Sequence, residues 1–254
     1  MKNFLIFCFL AELIFFRYNL LAEEENINNT SNNVSIVLSL AQDPSFGFYP
    51  SVNGSIPLNN KTDLTFYGIF WTQDALAGKQ GGIGLLTEFG LGVNFKLANG
   101  SFFVNPNIGL GNGKFQSGGS RHIIGDNLVF SLFTGYSFDN LEFALNGIYW
   151  KGFRKEEMIS PYIDQIEYSF SSWYKTNNWF LIGLYIDHYL ITEDDKQTKD
   201  TYTGYFWIGP AFKFIAKSGA SMWFTFGPDL VQYINNKNNS TVQDYYKLVA
   251  SFPF

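Results

Sequence analysis

Residues 88–110 have the sequence EFGLGVNFKLANGSFFVNPNIGL, and this stretch decides the fold. Near its centre, Asn99-Gly100 is a dipeptide that favours the tight two-residue turn of a β-hairpin. Pairing outward from this turn places apolar residues on one face of both strands: Leu97, Phe95, Val93, Leu91 and Phe89 oppose Phe102, Val104, Pro106, Ile108 and Leu110. The other face carries polar residues and glycines, and a slip of one residue destroys the pattern. The stretch therefore predicts a long antiparallel hairpin with one apolar and one polar face.

Short turns of this kind recur along the chain. Pairing about Asp139-Asn140 brings Phe138 opposite Leu141, and a turn centred on Ser218 gives another apolar face. Longer polar stretches separate these hairpins: 73–82, 114–125, 154–161, 192–200 and 235–242. In transmembrane β-barrels, short turns lie on one side of the membrane and long loops on the other. A soluble β-sandwich also alternates apolar and polar side chains, but its turns do not sort in this way.

The segments between the turns predict an all-β fold, a closed antiparallel transmembrane β-barrel of about 12 strands (range about 10–12). The predicted strands are 34–41, 46–58, 62–73, 83–98, 101–112, 126–138, 141–153, 163–175, 179–191, 201–216, 220–233 and 243–254. Most are long enough to cross a hydrocarbon core, which takes about 9–11 tilted residues. Six prolines fall inside them, and we expect bulges or strand ends there: Pro50, Pro57, Pro106, Pro210, Pro228 and Pro253.

The first 22 residues have the pattern of a secretory signal peptide. Lys2 precedes an apolar run over 4–16, and Ala22 is a plausible last residue before cleavage. We expect residues 23–33 to form a polar mature N-terminus and residues 34–254 to form the barrel. A transmembrane anchor is the alternative for the first segment, but the apolar run is short for a membrane-spanning helix. Export of this kind predicts localisation in the bacterial outer membrane.

The composition fits a barrel and excludes other classes of protein. Aromatic residues make up 19% of the chain and charged residues 15%, with a mean hydropathy of -0.04. That value is too polar for a helical membrane protein, whereas a barrel needs apolar residues only at every second position. The net charge is -5 and no basic patch is visible, so we expect no nucleic-acid partner. The only cysteine, Cys8, lies in the predicted signal, which leaves no disulfide in the mature chain.

Three segments resemble known outer-membrane barrels. The chain ends with Tyr246, Leu248, Ala250, Phe252 and Phe254 at alternate positions, like the C-terminal strand that the barrel assembly machinery recognises during insertion. The stretches FGFYP (46–50), DLTFYGIFWT (63–72) and GIGLLTEFG (82–90) resemble an uncharacterised family of small bacterial outer-membrane β-barrel-like proteins. The resemblance implies a fold and a location, and it implies no activity.

Catalytic and metal motifs are weak in this sequence. Barrel hydrolases use a Ser-His pair on the outer face, but no serine is convincingly placed beside His188, and His122 lies in a predicted loop. The acidic run at 193–195 has no calcium-site spacing, so we expect a solvated loop. We therefore expect no enzymatic activity, no cofactor and no metal. The tryptophans near strand ends predict interfacial belts, with ligand stacking in the lumen as the alternative: Trp71, Trp150, Trp173, Trp179 and Trp223.

The alternation directs polar side chains into the lumen. The predicted lumen-lining residues are Glu88, Asn94, Lys96, Asn105, Asn107, Glu142, Tyr205, Trp207, Lys213 and Asp229, and Asp187 and Lys247 share their face. A barrel of about 12 strands lies between side-chain-filled and open-pored sizes, so we predict a passive small-solute channel. Arginine is scarce after the signal (Arg121 and Arg154), which favours small neutral solutes over acidic ones. The alternative is a non-conducting barrel with a structural or surface-interaction role, and outer-membrane lipid is the expected partner of either.

Overall fold

The computed structural model describes residues 34–44, 47–72, 85–117, 121–124, 126–154, 162–195, 198–231 and 244–254. The predicted signal peptide and polar N-terminus lie outside the described residues. The strands are β1 (Ser35–Asp43), β2 (Gly47–Asn59), β3 (Thr62–Thr72), β4 (Leu85–Leu97), β5 (Phe102–Ser117), β6 (Arg121–Ile124), β7 (Asp126–Phe138), β8 (Leu141–Arg154), β9 (Tyr162–Lys175), β10 (Phe180–Asp195), β11 (Thr198–Ile215), β12 (Ser221–Pro228) and β13 (Asp244–Pro253).

The strands form a closed antiparallel barrel. Successive strands pair with one another, β5 pairs with both β4 and β7, and β1 pairs with β13, so the ring has no free edge. The short strand β6 stands outside the ring and pairs only with the end of β5. The predicted closed barrel of twelve strands is therefore confirmed. No helix long and apolar enough to cross a membrane occurs in the described part of the chain.

The predicted hairpin registers are confirmed at their centres. Leu97 lies opposite Phe102 across the Asn99-Gly100 turn. Both turn residues have positive φ, 55° at Asn99 and 87° at Gly100, which suits an asparagine and a glycine. The apolar face lies on the outside of the barrel, where four of its side chains are more than half exposed: Phe89 53%, Leu91 59%, Ile108 53% and Leu110 59%. This is the face that the alternation predicts for contact with lipid.

Several strands are longer than predicted. Part of the expected loop at 114–125 instead continues β5 and forms β6, and part of the expected loop at 192–200 belongs to β10 and β11. The physical reason is that polarity marks the place where a strand leaves the hydrocarbon, whereas backbone groups continue to pair beyond it. β1 likewise reaches Asp43 rather than ending at Ala41.

The prolines fall into two groups. Three lie where a bulge or a strand end was predicted: Pro57, Pro228 and Pro253. At the other three, residue pairs are missing from the pairing with one neighbouring strand, but the register does not change. The prediction of bulges is therefore wrong at Pro50, Pro106 and Pro210. A proline has no N–H to donate, and in these strands the ladder loses pairs locally while its alignment resumes on either side.

Glycines on the inner face make room for an aromatic ring. The Tyr67 side chain covers Gly90 on β4 and Gly109 on β5, and a Cβ atom at either glycine would overlap it. Such aromatic–glycine packing fixes the register of strongly curved sheets. By contrast, a Cβ atom at Gly147 on β8 meets nothing within 4 Å.

We predict that Gly90→Ala destabilises the barrel by about 1–3 kcal/mol, because the new methyl group displaces the Tyr67 ring. The matched control is Gly147→Ala, which should leave the free energy of unfolding within about 0.5 kcal/mol of the wild type. The measurement is a denaturant titration of protein refolded into lipid vesicles. Equal losses for the two variants would contradict the packing of Tyr67 over Gly90.

Candidate functional site: the barrel lumen

Six carboxylic acids are buried among the described residues, and four of them, all but Asp63 and Asp229, are linked by their electrostatic interactions. These four come from β1, β4, β9 and β10, and we call them the acidic belt: Asp43, Glu88, Glu167 and Asp187. Their exposed fractions are 1%, 1%, 6% and 0%, so neighbouring side chains enclose each of them. The leading electrostatic partners of Glu167 are the other three acids and Lys247 on β13. The four acids therefore interact electrostatically across strands that are distant in sequence.

Lys247 is the cation of this cluster. Its Nζ lies 3.4 Å from Asp187 Oδ2 and donates a hydrogen bond to the Tyr185 hydroxyl at 3.1 Å. The Tyr185 hydroxyl in turn donates to Asp187 Oδ2 at 3.1 Å. Lys247 is only 12% exposed, and a buried ion pair of this kind needs additional hydrogen bonds to offset the loss of hydration.

Aromatic donors satisfy two other acids of the belt. Trp150 Nε1 donates to Glu88 Oε2 at 2.7 Å, and the Tyr49 hydroxyl donates to Asp43 Oδ2 at 2.9 Å. Hydrogen bonds to charged acceptors are stronger than those between neutral groups. Both bonds are buried, so the acids depend on them in place of water.

Two oxygens of the belt have no hydrogen-bond donor outside the belt. Glu167 Oε2 and Asp187 Oδ1 are buried and receive no hydrogen bond from a third described residue, while the two carboxyl groups hydrogen-bond with each other. The two acids lie on adjacent strands, with Glu167 opposite Tyr189 and Asp187 opposite Ser169, so they are diagonal neighbours on the inner face. A buried acceptor without a donor is costly, and it marks a place where a positive group would be stabilised.

An aromatic cluster packs beside the acidic belt. We call it the aromatic cage, and its members are at most 6% exposed: Tyr185, Tyr205, Trp207 and Tyr245. The ring of Trp207 lies 4.2 Å from that of Tyr245 and 5.0 Å from that of Tyr185, measured between centroids. Lys247 Nζ lies 5.4 Å from the Tyr185 ring centroid, within the range of a cation–π interaction. The cage and the belt therefore share this ammonium group.

Four of the predicted lumen-lining residues lie on β4 and β5 and hydrogen-bond to side chains of β3: Asn94, Lys96, Asn105 and Asn107. Lys96 Nζ lies 2.8 Å from Asp63 Oδ1, and Asn94 donates to Asp63 Oδ2 at 3.1 Å. Thr65 donates to the side-chain oxygens of the other two, at 3.0 and 3.3 Å. This group lies nearer the short turns than the acidic belt does. Lys96 is 37% exposed, which leaves it accessible to water.

The remaining predicted residues lie in four places. Glu88 belongs to the acidic belt, and Tyr205 and Trp207 belong to the aromatic cage. Glu142 and Lys213 lie beside Trp173. Glu142 is paired with Trp173 between β8 and β9, and Lys213 Nζ lies 5.7 Å from the Trp173 ring centroid. Asp229 accepts backbone hydrogen bonds from Phe206 and Val231 at 3.3 and 3.1 Å, so it holds the chain beyond β12.

Two members of the acidic belt are absent from the sequence prediction. Asp43 was placed in a loop, and Glu167 was not assigned to a face. The alternation of side chains along β9 would have placed Glu167 on the inner face, because it lies an even number of residues from Trp173. Asp43 had no comparable signal, since β1 continues into a segment with the composition of a turn.

The prediction of interfacial tryptophan belts is wrong for most of these residues. Three of the five are buried inside the barrel, at 6–7% exposure: Trp71, Trp150 and Trp173. Trp223 is half-buried and packs against Trp173, with ring centroids 5.9 Å apart, whereas Trp179 is 57% exposed. Height along the strand suggested a belt, but the parity of each residue decides whether it faces lipid or lumen.

His188 lies on the outer face of β10, opposite in parity to Asp187. Its Nδ1 hydrogen-bonds with the Tyr168 hydroxyl, and its Nε2 lies 3.4 Å from Thr203 Oγ1. Neither partner is a serine, so the geometry does not assemble the Ser-His pair considered above. The side chains of His122 and of the acidic run at 193–195 lie outside the described part of the structure. Among the described residues, no group of three or more His, Cys, Asp or Glu is arranged to hold a metal ion.

Comparisons with known proteins agree with this architecture. The chain is similar in structure to an outer membrane channel from Pseudomonas putida F1, with a TM-score of 0.52, 9% identity, and coverage of 90% of this chain and 100% of the other. It is also similar to the NanC porin, with a TM-score of 0.50, 10% identity, and coverage of 85% and 98%. The fold is therefore that of an outer-membrane β-barrel protein.

Sequence comparison places the chain in a family. A family of unknown function, DUF6733, matches residues 1–254, and the chain belongs to it. This confirms the predicted resemblance to an uncharacterised family of outer-membrane barrels. Comparison with curated proteins gives no significant match.

We predict that Trp150→Phe destabilises the barrel by about 1–3 kcal/mol, because Glu88 Oε2 loses a buried donor. In a Glu88→Leu background the same change should cost less, so the double-mutant cycle should show a coupling of about 0.5–3 kcal/mol. Trp179→Phe, at an exposed site, serves as the control. The measurement is the free energy of unfolding in lipid vesicles, and strictly additive losses would argue against the hydrogen bond.

Proposed function

We propose that the protein is a passive channel of the bacterial outer membrane that admits small cationic solutes. The observation that carries the proposal is the acidic belt. A barrel with only a structural role can fill its interior with apolar side chains and so avoid the cost of desolvating charged groups. Ionisable residues buried in a membrane-spanning protein are therefore a default indication of a solute pathway.

The charge of the belt favours cations over the neutral solutes expected from composition. Glu167 has three carboxyl groups and one ammonium among its leading electrostatic partners. An excess of carboxyl groups attracts cations, and the attraction is stronger in a narrow, partly desolvated passage than in bulk water. The sequence could show that arginine is scarce, but it could not show that acids from four strands meet.

The lumen is narrow at the level of the belt. Because the belt acids are at most 6% exposed, side chains fill the interior there, and a solute passes only when they move aside. This supports a low conductance with transient binding rather than free diffusion. The same burial favours a second candidate function, a non-conducting barrel with a structural or surface-interaction role.

The outer face supports the proposed location and partners. Large apolar side chains stand exposed along the last strand, among them Tyr246, Leu248 and Phe252, and the terminal Phe254 is 79% exposed. An exposed apolar band of this kind fits outer-membrane lipid, and the C-terminal residues fit recognition by the barrel assembly machinery. In this proposal the short turns face the periplasm and the long loops face the cell exterior.

We predict that the wild-type protein in a planar bilayer shows small discrete conductance steps and a reversal potential of cation-selective sign in a salt gradient. Glu167→Gln should reduce the cation preference, because it removes one carboxyl group from the belt. The matched control is Asp164→Asn, an amide exchange on the other face of β9, where the carboxylate pairs with Lys151 at 2.8 Å. It should leave the reversal potential unchanged.

Three results would count against this function. Insertion of the refolded protein without conductance steps would support the non-conducting barrel. Anion-selective conductance, or an equal effect of both variants, would reject the acidic belt as the selective element.

A further inference from the structure

We infer that the acidic belt and the aromatic cage together form a binding site for an alkylammonium group, that is, a primary amine on an aliphatic chain. The inference deepens the proposed function by naming a class of solute. It rests on that function only for the route by which the solute reaches the belt, because binding itself needs no conduction.

Lys247 shows which chemistry the site accepts. Its side chain is itself an alkylammonium, and it occupies the contact between belt and cage at 3.4 Å from Asp187 Oδ2 and 3.1 Å from the Tyr185 hydroxyl. The ammonium also lies over the Tyr185 ring. A carboxylate, a hydroxyl acceptor and an aromatic face are the groups that stabilise a desolvated ammonium. The Lys247 side chain therefore occupies the position that an alkylammonium ligand would take.

The site also has capacity beyond Lys247. Asp187 gives one oxygen to the lysine, while its Oδ1 and the nearby Glu167 Oε2 receive no hydrogen bond from a third described residue and have only the contact between the two carboxyl groups. Both side chains are more than nine-tenths buried, so water does not replace the missing donors. An ammonium group carries three N–H donors and can satisfy such oxygens simultaneously.

The donor set favours an ammonium over a divalent metal ion. A metal site needs several oxygen or nitrogen ligands converging on one point, and the described residues contain no such group of acids and histidines. The cage instead supplies aromatic faces, and Trp207 lies within 5.0 Å of Tyr185 and 4.2 Å of Tyr245. Aromatic faces attract organic cations, whose alkyl portions they also cover.

The chain offers a matched comparison for the site. Lys96 and Asp63 also form an ammonium–carboxylate pair on the inner face, at 2.8 Å, but the lysine is 37% exposed. That pair therefore shares the chemistry of Lys247 and Asp187, including a buried carboxylate, but its ammonium group remains open to water. A carboxylate alone should not bind an amine measurably in water, since exposed ion pairs contribute about 0–1 kcal/mol.

The test is chemical rescue in the refolded full-length barrel. Lys247→Ala removes the equivalent of n-propylammonium from the side chain. This compound is then added as its chloride salt. The controls are sodium chloride at equal ionic strength and the uncharged n-propanol. We expect n-propylammonium to raise the unfolding midpoint of Lys247→Ala. Its affinity for this variant should be at least about tenfold higher than its affinity for the wild type. Lys96→Ala should respond to both salts equally.

Each outcome decides the inference. If Lys247→Ala does not refold in sodium chloride, recovery of the folded barrel in n-propylammonium supports the site, and failure in both salts overturns it. Equal effects of n-propylammonium and sodium on Lys247→Ala, or an equal response of Lys96→Ala, also overturn it. If the wild-type protein conducts but n-propylammonium does not stabilise Lys247→Ala, the binding site is rejected and the channel function stands. If n-propylammonium stabilises Lys247→Ala but the wild-type protein does not conduct, the channel function is rejected and the binding site stands.

Discussion

Every backbone N–H and C=O group of a strand that crosses hydrocarbon has to find its partner within the protein. This requirement forces the sheet to close, and here closure is achieved by the pairing of β1 with β13 and of β4 with β5. Once the ring is closed, each strand can only alternate its side chains between lipid and lumen. Apolar residues then occupy the outside, and the polar residues of the membrane-spanning segments have to lie inside.

The interior of a ring of this size is narrow enough for side chains of opposite walls to meet. Acids from β1, β4, β9 and β10 interact electrostatically inside the barrel, although each is almost fully buried. Tryptophan and tyrosine donors replace water, as at Glu88 and Asp43, and Lys247 supplies one positive charge. The remaining excess of carboxyl groups is the feature for which a purely structural barrel gives no reason.

Much of the fold could be predicted from the sequence, because the alternation of side chains and the tight turns are local signals. The register about Asn99-Gly100 follows from a pattern with a period of two residues, and so does the parity of Glu88 and Lys96. The predicted strand bounds failed mainly where strands continue beyond the hydrocarbon, as in β5 and β10. There the composition becomes polar while the backbone remains paired.

The candidate site was harder to predict, because it depends on contacts around the barrel rather than along a strand. Residues as distant as Asp43 and Glu167 meet only when tilt and stagger bring particular rungs to the same level. Parity shows that a residue points inward and cannot show which residue it faces. The tryptophans show a different limit, since their positions near strand ends suggested a belt, whereas Trp71 and Trp150 are buried inside the barrel.

The central claim is that the acidic belt is a site for positive charge in the middle of a closed barrel. The most direct measurement is a crystal structure of the refolded protein grown with a heavy monovalent cation such as rubidium, located by its anomalous scattering. We expect an anomalous peak on the inner face, beside Glu167 and Asp187. A lumen without such a peak, in which hydrogen bonds from protein groups satisfy both acids, would contradict the account.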